Sequence, residues 1–354
     1  MASSEALRRP HRVFLKDVFI SILLTCGVCV DPDTARSDQD FFLGKTITIS
    51  TFTPPGGSYD AYSRMLARHI AKFIPGRPNV IVVNQPGAGG LLALNYASRV
   101  APRDGSFLTL AGVGMLLQGA LGGKGLQVSL RDLSWIGNFS KVANVLATWP
   151  TSRAKTINDA RANVVVLGSV GAGSIDAQLP AAFNSLLNTR LKVIPGYSGT
   201  GQTLLAMERG EIEGKVSGWT SLKSELSRER ASALNVLLQM GPMPASDLRT
   251  VPLLVDLVGD DIQKKAVAEF LSLILVSSRP LAAPPEVPID RITLLRRAFD
   301  LTMKDQEFLS EAQKSGFEID PMTGEEVRDA IARIFSAPRD VVERARAAID
   351  APTR

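Results

Sequence analysis

From Lys45 onward, short apolar runs rich in β-branched residues alternate with stretches whose apolar positions fall three or four apart. The runs at 46–50, 80–83, 107–110, 164–167 and 191–194 predict strands. Most are continuously apolar rather than alternating, the pattern of strands covered by helices on both faces. Between them, Met65, Leu66, Ile70 and Phe73 trace one helical face, and 91–97, 178–187 and 203–209 give further helices. Strands alternating with helices predict an α/β fold with mostly parallel sheets.

Four of the strands end in loops of one kind: 51–60 (TFTPPGGSYD), 84–90 (NQPGAGG), 168–176 (GSVGAGSID) and 195–201 (PGYSGTG). Glycine lets a backbone approach a ligand closely, and a helix start offers unpaired N–H groups at the positive end of its dipole. Such loops bind anions, carboxylates included. In open α/β sheets the ligand sits beyond the carboxyl ends of the strands. A single loop of this type is equally a helix cap and a turn. Four of them together point to a cleft.

The N-terminus reads differently. Arg8, Arg9, Arg12 and Lys16 lead into the apolar stretch 18–30, which is too short to span a bilayer and matches a secretory leader, expected over 1–42. A small-x-small cleavage site is not evident, since Asp33 lies two residues before Ala35. A lipid anchor at Cys26 is a second possibility that its neighbour Thr25 fits poorly; Val28 disfavours Cys29 in the same way. Both cysteines lie in this stretch, so cleavage leaves no disulfide and no thiolate metal site.

The chain of 354 residues is 45% hydrophobic and carries a formal charge of +5, which excludes a disordered protein and suggests two domains. Losing 1–42 removes five basic and six acidic residues, leaving 35 against 29, or +6. The surplus is spread out, with no basic run of the kind a nucleic-acid binder concentrates, so no nucleic-acid partner is expected. It mildly favours a small anionic ligand.

Catalytic chemistry is sparse. The two histidines are His11, in the leader, and His69, in a helix beside Ile70. No clustered metal ligands occur, and neither a metal nor another cofactor is expected. The segment 214–218 (GKVSG) has the wrong spacing for a nucleophile elbow. In 122–125 (GGKG), Gln118 replaces the first glycine of a phosphate loop and Gly125 its Ser/Thr. Asp60, Asp176 and Glu213 are acids that helix capping or surface charge also explains.

The segment 53–60 (TPPGGSYD), followed by 63–66 (SRML), resembles the first loop of the extracytoplasmic solute receptors of tripartite tricarboxylate transporters, the Bug family. The segments 82–90 (VVNQPGAGG) and 101–105 (APRDG) are similar to that family's second motif pair. So are 196–200 (GYSGT) with 205–214 (LAMERGEIEG), the tail 280–288 and 316–320 (GFEID). The resemblance runs in order over about 45–350.

It implies a periplasmic two-lobed, venus-flytrap fold crossed twice by the chain, near 140–145 and 268–274. The lobes would be 45–142 plus 271–354, and 143–270. It implies a monomer that binds a small carboxylate through loop amides, hydroxyls and waters rather than a dedicated arginine, in keeping with loops free of Arg and Lys, and hands it to membrane permease subunits. Thr53, Pro54, Gly57, Asp60, Ala88 and Gly89 would form one wall, and Ser169, Gly173, Ser174, Tyr197, Gly199 and Thr200 the other.

Thr53, Val83, Gln85 and Asp176 depart from the family's usual residues, Asp176 standing near a frequent His. Trp219 is either a stacking surface or a core residue. An α/β enzyme using Asp60 or Asp176 as general base, and a ligand sensor for a signalling partner, are the alternative functions.

Overall fold

The computed structural model describes residues 41–351, positions 124, 142, 172, 242 and 276 apart. Of the expected leader only residues 41 and 42 are described, so the export signal and Cys26 lie outside the described residues.

The strands are β1 (Thr46–Thr51), β2 (Asn79–Asn84), β3 (Phe107–Leu110), β4 (Ser134–Asn138), β5 (Asn144–Thr148), β6 (Val165–Ser169), β7 (Leu191–Pro195), β8 (Gly214–Gly218), β9 (Asn235–Met240), β10 (Pro280–Ala283) and β11 (Met322–Thr323). They form a six-stranded sheet in the order β11-β4-β10-β3-β1-β2 and a five-stranded sheet in the order β7-β6-β8-β5-β9.

The five strands expected from the apolar runs are β1, β2, β3, β6 and β7, and their mutual pairings are parallel: Ile47 faces Val80, Ile49 faces Leu108, and Val165 faces Leu191. The sheets as wholes are mixed rather than mostly parallel. β10 runs antiparallel to β3 and β4, β4 to β11, and β5 to β8 and β9. β5 and β10 are the strands by which the chain enters each sheet from the other. Running against the βα units, they place their own N-terminal ends beside the C-terminal ends of their neighbours.

Helix Ser58–Ile70 forms because Tyr62, Met65, Leu66 and Ile70 recur on one face, and that face is buried. It packs with Ile47, Ile49, Leu108 and Leu281 of the first sheet and with Leu295 and Phe299 of helix Ile289–Thr302. Each such side chain contributes roughly 1.5–3 kcal/mol by burial.

The largest cluster is shared by both sheets. Trp135 and Ala282 from the first join Leu146, Leu167 and Leu238 from the second through helices Ile175–Leu187, Ile262–Leu275, Gly324–Phe335 and Arg339–Asp350. Among the described residues no helix is long and apolar enough to cross a membrane.

Candidate functional site

The segments that follow β1, β2, β3, β6, β7 and β8 all border one cavity of about 680 Å³. This is the place where open α/β sheets hold ligands.

The helices that start at its wall share one property. Ser58–Ile70, Val113–Ala120, Ile175–Leu187 and Thr200–Glu208 begin at Gly57, Gly112, Ser174 and Gly199, and none has a side-chain cap hydrogen bond. Four helices elsewhere are capped by the side chains of Thr156, Ser227, Asp305 and Thr323, whereas those after Leu253, Pro288 and Pro338 are not. Four dipole ends therefore face the cavity without a local oxygen acceptor from the cap residue.

Ten of the twelve expected site residues line the cavity: Thr53, Pro54, Gly57, Ala88, Gly89, Gly173, Ser174, Tyr197, Gly199 and Thr200. Asp60 and Ser169 do not. Asp60 is turned into its own loop: its carboxylate accepts from the Gly56 amide at 2.9 Å, Arg64 Nε at 3.0 Å and Asn84 Nδ2 at 2.8 Å. Burial works to raise its pKa, but these hydrogen bonds and the charge of Arg64 prevail and hold it below the usual carboxylate value. Ser169 is buried at the end of β6 and its Oγ has no hydrogen-bond partner.

Ser174 is spent locally. Its Oγ donates to the Gly171 carbonyl at 2.6 Å and is also hydrogen-bonded to Asp176. Asp176 lines the cavity, accepts from the Val170 amide at 3.2 Å, and lies 3.8 Å from Lys215 Nζ. Lys215 is 1% exposed and donates to Thr203 Oγ1 at 2.7 Å. Burial raises the Asp176 pKa against the pull of Lys215, and lowers that of Lys215 against Asp176 and Glu225. Glu225, half-buried at the cavity wall, is likewise raised by burial, with Lys215 opposing.

The four loops are free of Arg and Lys, but the wall as a whole is not, and the expectation of no dedicated arginine meets one at the cavity. Lys215 and Arg279 both line the cavity. Arg279 is 1% exposed and stacks its guanidinium over the rings of Tyr59 and Tyr62, 5.3 and 4.5 Å from their centroids. It escaped the sequence reading because it precedes an antiparallel strand: the start of β10, not its end, lies at the cavity. Lys215 sits inside β8, between glycines that hide a strand.

The two walls touch. Ser58 Oγ and Ser221 Oγ are 3.1 Å apart, Gln178 Nε2 donates to the Gly114 carbonyl at 3.3 Å, and the backbones of Gly89 and Gly114 abut Gly173. Trp219 belongs to the core on the outer face of the second sheet, with Nε1 donating to Asp247 Oδ2 at 2.8 Å.

His69 lies away from the cavity, 2.7 Å from Glu311 Oε2 and edge-on to Phe308. It groups with Asp305 and Glu307, but Lys72 Nζ is bonded to both carboxylates, at 2.6 and 2.8 Å.

Two open mixed sheets with glycine loops facing one cavity from both sides define a two-lobed binding-protein fold. The profile of the tripartite tricarboxylate transporter family receptor matches residues 63–334, and the chain belongs to that family. A UPF0065 protein from the tcbD-tcbE intergenic region of a Pseudomonas species is 26% identical over 222 residues, 61% of this chain and 65% of that protein. The match thus spans slightly less than two thirds of that relative. Among solved structures, MatC from Rhodopseudomonas palustris with bound malate has a TM-score of 0.65 at 18% identity, covering 84% of this chain and 99% of that one. An R. palustris protein with adipate has a TM-score of 0.66 at 15% identity, covering 85% and 97%.

Proposed function

We propose that this chain is a periplasmic solute receptor that closes its two lobes on a small carboxylate and presents the closed form to the permease subunits of a tripartite transporter. The observation that carries this reading is the cavity itself. Four helix starts without side-chain caps, and the buried guanidinium of Arg279, converge on a volume within the usual range for small-ligand sites. The ten lining residues expected from sequence would contact the ligand, joined by Arg279. Malate and adipate in related folds are ligands of the same chemical class.

Binding is the whole activity in this reading. Asp60 does not line the cavity, and Asp176 is held by Ser174, the Val170 amide and Lys215, so neither is placed as a free general base. Sheet membership fits lobes of 45–142 plus 271–354 and of 143–270. The final helix, Arg339–Asp350, reaches across to pack in the cluster with Ile175–Leu187. One chain supplies both walls, which supports a receptor that works as a monomer.

A thermal-melting screen of the purified chain against small carboxylates tests the reading. A ligand at about 100 times its Kd adds about 2.7 kcal/mol. Stabilisation by a carboxylate that mass spectrometry recovers unchanged is expected. Conversion of that compound to product would replace the receptor with an enzyme.

A further inference from the structure

The charges facing the cavity are unevenly matched. On the first-lobe side Arg279 donates to Ser221 Oγ at 3.0 Å and Ser140 Oγ at 3.4 Å, and its Nε has no hydrogen-bond partner. It makes no ion pair with a carboxylate among the described residues. A buried guanidinium held by two hydroxyls and two rings remains short of negative charge.

The second-lobe side has the opposite surplus. Lys215 is a single cation set between two carboxylates, Asp176 at 3.8 Å and Glu225 beyond ion-pair distance. Asp176 is the one that Lys215 pairs with. Glu225 accepts no hydrogen bond among the described residues, and its Oε2 lies against Gly201 at the cavity wall. Ionised, the side chains here carry two negative charges against one positive, beside the helix starts at Ser174 and Gly199. Burial already strains the Glu225 carboxylate toward its neutral form, a cost that a ligand cation would remove.

The two poles are close. Arg279 is bonded to Ser221, which stands four residues before Glu225 on helix Trp219–Glu225. Residues so spaced share a helix face about 6 Å apart along the axis. One small molecule can reach both.

We propose that the ligand is a zwitterionic amino-carboxylic acid, its carboxylate on Arg279 and its ammonium on Glu225. This rests on the receptor reading above and narrows it. A dicarboxylate would set its second negative group against the side with surplus carboxylate. A plain monocarboxylate would leave Glu225 unmatched.

Calorimetric titration with four compounds of one carbon skeleton tests this: valerate, glutarate, 2-aminovalerate and 5-aminovalerate. In the wild-type protein one of the two amino acids should bind roughly tenfold or more tighter than valerate and glutarate. Glu225→Gln, which keeps the side chain's shape, should reduce that preference to about threefold or less while valerate binding is little changed. Glutarate binding as tightly as either amino acid in the wild type overturns the inference and leaves the carboxylate receptor standing. A preference that survives Glu225→Gln overturns it equally. Binding of none of the four, while another carboxylate class stabilises the protein, also overturns it; silence across all carboxylates overturns the receptor reading as well. The wild-type rank order holds its meaning even if the variant folds poorly.

Discussion

The backbone of Gly89 lies directly against that of Gly173, so that a Cβ on Gly89 would fall 2.5 Å from the Gly173 carbonyl carbon and 2.6 Å from its Cα. One glycine belongs to the loop after β2 and the other to the loop after β6, so this backbone-on-backbone contact joins the two walls across the cavity. Gly173→Ala should keep the fold but hold the walls apart, because its Cβ would collide with the Ala88 carbonyl. Overpacking costs about 1–3 kcal/mol, which predicts a roughly 5–150-fold loss of affinity. Small-angle scattering should then show no ligand-induced compaction. Wild-type affinity would mean that closure does not use this contact.

Gly199 is open where Gly173 is crowded. A Cβ there meets only Pro54 Cδ, at 3.9 Å, and the extended backbone accepts a β-branched residue. Gly199→Val should melt within about 0.5 kcal/mol of wild type, yet bind no carboxylate because its side chain projects into the cavity. Unchanged affinity would place the ligand elsewhere.

Lys215 and Asp176 form a buried pair whose members need each other. Lys215→Met strands a carboxylate in the interior and should cost roughly 3–5 kcal/mol in urea unfolding. Adding Asp176→Leu should recover most of that loss, since well-packed apolar residues replace such pairs at little cost. Additive losses in the double variant would show that the two side chains are not energetically coupled.

Asp60 predicts a pH effect with a defined sign. Its pKa is lowered in the folded chain, so the stability it supplies is present above the ordinary value of 3.8 and is lost as pH falls through the lower, folded value. Asp60→Asn should reduce stability at pH 7 by roughly 1–3 kcal/mol, flatten the acid limb of the unfolding curve, and leave ligand affinity unchanged. A large drop in affinity with normal stability would return Asp60 to the site.

The parts of this fold that were legible in the sequence are those where local chemistry and tertiary role coincide. β1, β2, β3, β6 and β7 are apolar runs, and the four glycine loops that follow β1, β2, β6 and β7 border the cavity. β8, with Lys215 between Gly214 and Gly218, and β10, opening on a proline, lack a strand's usual residues; they are strands because their neighbours supply the ladder. Arg279 and Glu225 carry no local signature at all. They reach the cavity through an antiparallel entry and a seven-residue helix, and only the assembled sheets bring them together. Asp60 lies outside the cavity lining for the opposite reason: its position in a glycine loop is equally the position from which a carboxylate ties that loop to β2.

The most direct test of the cleft as a carboxylate site is a calorimetric titration of wild type and Arg279→Gln with the carboxylate that stabilises the protein most, each protein first shown to unfold cooperatively. Single-site binding by the wild type, weakened roughly tenfold or more in Arg279→Gln, is expected for a hydrogen bond between charged groups. Equal affinities for the two folded proteins would contradict a carboxylate seated on Arg279 in this cavity.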